Sequence, residues 1–281
     1  MILYKRAVDI SGFVKKNTHV GKSIGFVPTM GALHQGHLSL IQQAKLENDI
    51  VICSIFVNPA QFNEQNDLRT YPRPLESDLP LLISTQCDLL FLPSADEIYP
   101  NGLNSLKHYD LGYLENSLEG RLRPGHFNGV VNVIDKFLEI LKPDRLYLGQ
   151  KDFQQVKVIE RLLQITRQPC QCIICPIQRE ESGLAMSSRN IRLTAEQKVH
   201  ASVIYKTLSF VREHYKKYSL KELQSHAISM VHQAPETAVD YLEFCDAESF
   251  HIIHNWNDAE HIVCVAAVKV GEVRLLDNIL L

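Results

Sequence analysis

No stretch of eighteen consecutive apolar residues occurs in this 281-residue chain, so no membrane-spanning helix and no membrane partner are expected. A surplus of one charge is lacking too: 29 Lys and Arg stand against 32 Asp and Glu, for a net charge of −3. That balance argues against a general nucleic-acid surface, which needs a basic excess, and leaves any anionic ligand to be met by local positive groups. The residues from Met1 to Arg6 have neither the apolar core nor the cleavage site of a signal peptide, and a cytoplasmic protein is expected. An even-numbered disulfide framework is missing. The seven cysteines sit mostly in apolar runs such as Val51 to Ile55, as reduced core thiols do. Cys172 and Cys175 have C-x-x-C spacing with Cys170 just before them. No second ligand pair follows at zinc-site distance, however, and the alternation before Pro176 reads as a strand, so no metal site built from protein side chains is expected. The G-x-G-x-x-G fingerprint and the G-K-[ST] of a Walker loop are also absent, as are internal repeats. What remains is an ordinary globular composition, 45% hydrophobic and 22% charged, long enough for one large domain or one with a smaller companion.

The stretch from Phe26 to Leu40 organises the rest. Ile24, Phe26 and Val27 suit a buried strand, Pro28 stops its ladder, Gly31 permits a backbone geometry that a side chain would block, and Leu38, Leu40 and Ile41 begin an apolar helical face. A strand thus feeds a helix N-terminus, where free backbone N–H groups and the helix dipole favour an anion, a phosphate above all. His34 and His37, with Gly36 between them, can turn both imidazoles to one side of the first turn and neutralise charge on phosphate oxygens. The competing reading makes one a helix cap and the other a surface residue.

In chain order, residues 5–17 read as an amphipathic helix, a helix runs from His37 to Asn48, and Ile50 to Val57 form a strand of the kind buried in a parallel sheet. Asn58 and Gln61 fall just past its carboxyl end, where open α/β sheets place ligands. A polar connection follows at 67–73, then a helix with Ser77 or Asp78 near its cap, and a strand at 89–92. Periodicity fades over 93–128, where Glu119, Arg121, Arg123 and His126 cluster as either a solvated loop or a segment covering a ligand or a dimer contact. Val130 to Leu141 form a helix and Arg145 to Leu148 a strand. Gly149, Gln150, Lys151 and Asp152 then repeat the strand–glycine–helix corner, with Lys151 able to neutralise a phosphate, Asp152 a ribose acceptor or a cap, and Gln155 one turn on. A helix at 154–166 and a strand at 170–175 follow. Gly183, Leu184, Ala185, Met186, Ser187, Ser188, Arg189 and Asn190 form a small-residue loop with two hydroxyls and a guanidinium, able to wrap polyphosphate. Helices at 194–217 and 219–233 and strands at 239–245, 261–268 and 272–276 suggest a smaller α+β domain, with the boundary near Pro176.

The string P-T-M-G-A-L-H-x-G-H-L, Pro28 to Leu38, carries the H-x-G-H signature of nucleotidylyltransferases and class I aminoacyl-tRNA synthetases and resembles the pantothenate synthetase family in particular. The likeness runs in colinear blocks through the first 190 residues, and the 183–190 loop resembles the K-M-S-K-S-type mobile loop of that superfamily. The resemblance implies an α/β fold with a Rossmann-like parallel-sheet catalytic domain over 1–176, a smaller α+β C-terminal lid over 177–281, and a homodimer. It implies that pantoate attacks Mg-ATP to give pantoyl adenylate, and that β-alanine then displaces AMP. Carried over by position, Met30, Gly31, Ala32, Leu33, His34, Gln35, Gly36 and His37 bind ATP, with His34 and His37 on the phosphates and His37 as a proton donor. Gly149, Gln150, Lys151, Asp152 and Gln178 contact the nucleotide, and Met186, Ser187, Ser188 and Arg189 close over the phosphates. Gln61 holds pantoate and then the β-alanine region, Gln155 holds pantoate, and Asn58 joins them in the substrate-binding set. His34, His37, Lys151 and Arg189 make up the catalytic set, and Mg2+ accompanies ATP. Family members commonly carry Glu where Gln150 stands and a small apolar residue where Gln178 stands, which bears on nucleotide selectivity. Another adenylyl- or cytidylyltransferase would keep the phosphate elements without the Asn58, Gln61 and Gln155 set. A tRNA synthetase is disfavoured by the short chain without a basic anticodon-binding module. A nucleotide-binding module without turnover is the alternative from another class.

Overall fold

Apolar runs alternating with amphipathic helices produce a parallel sheet covered on both faces. The computed structural model describes residues 1–63 and 65–281, without the side chain of Asn66. Its strands β1 (Ile2–Tyr4), β2 (Ile24–Thr29), β3 (Ile50–Ile55), β4 (Leu89–Phe91), β5 (Arg145–Gly149) and β6 (Gln171–Cys175) form one sheet in the order β1-β4-β3-β2-β5-β6, every pair parallel. Helices α1 (Ala7–Thr18), α2 (Gln35–Glu47), α3 (Gln65–Thr70), α4 (Leu75–Ser84), the short α5 (Ala95–Ile98), α6 (Tyr113–Asn116) and α7 (Leu118–Leu122), and the long α8 (His126–Leu141) and α9 (Phe153–Thr166) connect them. The remainder holds α10 (Ala195–His214), α11 (Leu220–His232) and an antiparallel sheet of β7 (Thr237–Asp246), β8 (Ile262–Val270) and β9 (Val273–Leu280). This is the expected α/β architecture with a smaller α+β part.

The chain divides into two units, Met1–Gly149 with Val158–Cys175, and Gln150–Lys157 with Pro176–Leu281. In the first, Phe137 of α8 meets Phe26, Phe56 and Phe91 edge-on, with ring centroids 5.5, 6.0 and 5.9 Å away. These pairs fasten the helix to β2, to β4 and to the residue that follows β3, each contributing about 0.5–1.5 kcal/mol beyond its buried area. In the second, capping boxes at Thr194/Gln197 and Ser219/Glu222 start α10 and α11, which pack on β7, β8 and β9 around Phe244, Leu208 and Leu223.

Several sequence expectations are corrected. β1, a three-residue edge strand paired to β4, has no signal in the sequence. Pro28 does not stop the ladder with β3, since Pro28 pairs Ser54 and Thr29 pairs Ile55. Its missing N–H faces the β5 side, where pairing has already ended at Phe26, and there a proline costs no bond. α2 begins at Gln35 and not at His37, and α8 begins at His126. The polar connection at 67–73 contains α3, and α4 is preceded by Pro74, so neither Ser77 nor Asp78 is its cap. The 119–126 cluster is no solvated loop, because Glu119 and His126 are buried. The last strand extends to Leu280.

Cys172 and Cys175 lie in β6 at an odd spacing, which sends them to opposite faces. Six of the cysteines are buried and Cys172 is half-buried. Burial pushes the Cys87 and Cys175 thiols up to about 11 and Cys170 up to about 12, and the thiolate is the reactive form. Among the described residues no group of three or more His, Cys, Asp and Glu could hold a metal ion, and no helix is long and apolar enough to cross a membrane. Thiol titration of the native protein with a disulfide reagent at about pH 8, near the unperturbed thiol pKa, is expected to give one fast equivalent, from Cys172, and the others only after unfolding. Two or more fast equivalents would contradict this burial.

Candidate active site

The chain leaves β2 towards β3 and β4 on one side and returns to β5 and β6 on the other. The strand order therefore reverses between β2 and β5, and ligands of open α/β sheets bind beyond the carboxyl ends at that point. The carboxyl end of β2 carries the turn from Met30 to His37, and β5 ends at Gly149.

The turn has two successive residues in the left-handed region, Gly31 at φ 82° and Ala32 at φ 50°. A Cβ on residue 31 would lie 3.1 Å from Asp78 Oδ2 and 3.2 Å from Ile55 Cγ2, a tight fit added to the strain that φ 82° imposes on any side chain. Ala32 carries a cost of about 1–2 kcal/mol there and has to be held. Asp78 holds it. Its carboxylate, 1% exposed, accepts the N–H of Ala32 at 2.9 Å and that of Leu33 at 2.8 Å. Thr29 Oγ1 accepts the Gly31 N–H at 3.2 Å while donating to the Ser54 carbonyl at 2.6 Å.

His34 then caps α2. Its Nδ1 accepts the Gly36 N–H at 3.1 Å, and His37 Nδ1 accepts the His34 N–H at 3.3 Å, in a reciprocal capping box. A backbone N–H can only donate, so each Nδ1 is an acceptor and each neutral ring carries its proton on Nε2. With centroids 4.1 Å apart, the two rings bring a pair of Nε2–H donors to one place. The backbone N–H groups of Gly31, Ala32, Leu33, His34 and Gly36 are engaged within the fold, so these five are not open to an anion. The two sequence readings of the histidines merge: each caps through Nδ1 and carries its donor on Nε2.

After β3, Asn58 is 1% exposed and uses both halves of its amide internally. Nδ2 donates to the Gly129 carbonyl and to Gln61 Oε1, at 3.1 and 3.0 Å, and Oδ1 accepts from Tyr99 Oη at 2.8 Å and from the Ala60 N–H at 3.2 Å. Burial pushes the Tyr99 phenol far up, keeping it a donor. The Gln61 side chain, oriented this way, reaches Met30 Sδ with Nε2 at 3.3 Å. The Gln61 backbone carbonyl accepts His126 Nδ1–H at 2.8 Å, and Arg123 donates to the other nitrogen of that ring at 3.2 Å. Met30, Asn58 and Gln61 are thus brought together, with the 119–126 segment as their support.

In the second unit, Gln150–Asp152 make one 3-10 turn in which Lys151 Nζ pairs with Asp152 Oδ1 at 2.8 Å. Gln155 is half-buried on α9. Gln178 has an exposed side chain and accepts the Met186 N–H on its carbonyl at 2.9 Å. Ser187 caps the short 3-10 helix Ser188–Arg192, accepting the Arg189 N–H at 3.3 Å.

The pantoate-β-alanine ligase family model matches residues 3–280. The chain belongs to that family. It is 44% identical to the pantothenate synthetase of Azobacteroides pseudotrichonymphae over 99% of both chains. It superposes on the crystal structure of pantothenate synthetase from Thermus thermophilus with a TM-score of 0.92 at 36% identity, covering 99% of each chain. The pantoate-β-alanine ligase from Francisella tularensis, solved with β-γ ATP and β-alanine, gives 0.82 at 40% identity over 100% of this chain and 97% of that one.

Sequence reasoning about this family member misses Asp78, Tyr99 and Gly129. Asp78 resembles a helix cap, and nothing local ties it to a turn 45 residues earlier. Asp78→Ala leaves the N–H groups of Ala32 and Leu33 without a partner, at about 1–3 kcal/mol for a buried group. A fall of that size in urea-derived stability is expected, and an unchanged midpoint would show that the carboxylate does not hold the turn. A Cβ on Gly129 would lie 2.2 Å from the Ala60 carbonyl and 2.7 Å from the Gln61 nitrogen, both backbone atoms. Gly129→Ala should therefore lower stability by about 1–3 kcal/mol and displace the Gln61 loop in a crystal structure; a wild-type melting curve with an unmoved loop would contradict the contact.

Proposed function

We infer that this protein joins pantoate to β-alanine at the expense of ATP. A pantoate carboxylate oxygen attacks the α-phosphorus, the bond to pyrophosphate breaks, and pantoyl adenylate forms; the β-alanine amine then attacks the acyl carbon and AMP leaves with the carboxylate-derived oxygen. The observation that carries this reading is the family match from residue 3 to residue 280. The Francisella tularensis relative, whose crystals held β-γ ATP and β-alanine, supports it.

No serine or cysteine nucleophile is required. Pantoate supplies its own, and the protein contributes alignment and charge stabilisation. In our reading His34 and His37 donate through Nε2–H to phosphate oxygens, and His37 also serves as a proton donor. The turn from Met30 to His37, with Gly149, Asp152 and Gln178, binds the nucleotide, which enters as its magnesium complex with the cation carried on the phosphates. Lys151 exchanges Asp152 for phosphate, and Met186, Ser187, Ser188 and Arg189 close over it. Gln61 and Gln155 hold pantoate, and Asn58 acts by fixing the Gln61 amide. Free thiols throughout support a reducing, cytoplasmic setting, and the family likeness supports a homodimer.

The assay is pantoate-dependent exchange of pyrophosphate into ATP, followed by AMP release that requires both pantoate and β-alanine. His37→Ala and Lys151→Ala are each expected to lower exchange by about 10²–10³-fold, the scale of one preorganised donor lost from a transition state. Near-wild-type exchange in both variants would refute these roles, and AMP release without β-alanine would refute the second step.

A further inference from the structure

Two consecutive side chains near the end of β9 hold both segments of the second unit that carry nucleotide contacts in the reading above. Strand geometry sends Asp277 and Asn278 to opposite faces. Asp277, 4% exposed, forms a two-pronged pair with Arg179 at 2.6 and 2.9 Å. Burial pushes its carboxyl up, and the guanidinium opposes that push. Arg179 also donates to the Gly183 carbonyl at 3.1 Å and lies over the Tyr205 ring, 4.0 Å from its centroid. It bridges Ala185, and the Glu180 and Met186 N–H groups close the same hairpin at 2.8 and 2.9 Å. The arm leaving that hairpin is Ser187-Ser188-Arg189.

Asn278, 2% exposed, takes the other segment. Its Nδ2 donates to the carbonyls of Gln150 and Lys151, at 2.9 and 3.0 Å, and its Oδ1 accepts from Gln150 Nε2 at 3.0 Å. A carbonyl cannot donate, so only a side chain with an N–H or O–H at position 278 can bind both. The backbone that projects Lys151 is thereby fixed from a neighbouring strand.

We propose that the Asp277–Asn278 pair is a positioning device for adenylate formation, Asn278 setting the backbone beneath Lys151 and Asp277, through Arg179, setting the Ser187–Arg189 arm. The proposal rests on the reading that these two segments serve the ATP phosphates. Asn278 acts through Lys151 and touches no substrate.

The test is pyrophosphate exchange by the full-length enzyme at varied ATP and varied pantoate. Asn278→Ala is expected to lower kcat about 10- to 100-fold, the effect of a misplaced catalytic group, with KM for pantoate within about twofold of wild type. Val268→Ala, a cavity in the same sheet at a fully buried site, is the control for stability loss alone and should keep its kcat. Asn278→Asp sets a carboxylate against two carbonyl oxygens, and protonation restores a donor. Its activity relative to wild type should therefore rise as pH falls, and this carries the test if the alanine variant does not fold. Wild-type kinetics in folded Asn278→Ala, a kcat loss no larger than that of Val268→Ala, or a flat Asn278→Asp to wild-type ratio across pH each overturns the proposal. Lys151→Ala is measured beside them: full activity there overturns the underlying reading, whereas its loss with an active Asn278→Ala overturns the positioning alone.

Discussion

One buried carboxylate, Asp78, accepting two adjacent backbone N–H groups, is the constraint on which the rest of the first unit's site depends. Successive N–H groups pointing into one concavity make an anion site, and here the protein fills it with its own anion. The consequence is chemical as well as structural. With the N–H groups of Gly31, Ala32, Leu33, His34 and Gly36 engaged by Asp78, Thr29 and the histidine rings, the side chains this corner presents include two imidazoles. Asp78 also crowds residue 31, since a Cβ there would lie 3.1 Å from its Oδ2 on a backbone already at φ 82°.

The histidine pair shows how one geometry can serve stability and chemistry together. Capping through Nδ1 satisfies N–H groups that a helix start leaves open, and it selects the tautomer whose remaining nitrogen is a donor. A serine or aspartate at position 34 would cap equally well and offer no such donor. Capping alone therefore does not single out histidine at position 34. Gln61 follows the same logic one strand over: Asn58 engages Gln61 Oε1, so the amide's orientation, and with it the Nε2 donor, is set before any ligand arrives.

Legibility from sequence follows the range of the interaction. The parallel sheet, the helices with capping boxes and the two strand-to-helix corners are written in residues a few positions apart, and these are readable. β1 is not, because three residues with two of them exposed carry no pattern; its place is dictated by the free edge of β4. Asp78 reads as a cap because acid at a helix start is the commoner use of such a residue, and the turn it serves lies more than forty positions away in sequence. His126 and Glu119 are visible as a cluster but not as burial, since the sequence does not say that the 119–126 segment lies under the Gln61 carbonyl. The histidine motif is legible and the groups holding it are not, since a motif is local and a support is set by the fold.

The departure at position 150 illustrates what that distinction does to an inference. Judged as a motif, Gln150 in place of the family's usual glutamate sits among nucleotide contacts, and a lost charge there suggests altered selectivity. In the fold, its Nε2 donates to Asn278 Oδ1 while Asn278 Nδ2 is committed to two carbonyls. A glutamate in the same rotamer would set carboxylate oxygen against amide oxygen, and the amide could not flip without abandoning both carbonyls. Residue 150 is thus matched to Asn278, and its side chain belongs to the support of the Lys151 corner. The pairing of two amides across this contact lets the Asn278 amide keep both carbonyls while its oxygen receives the Gln150 donor.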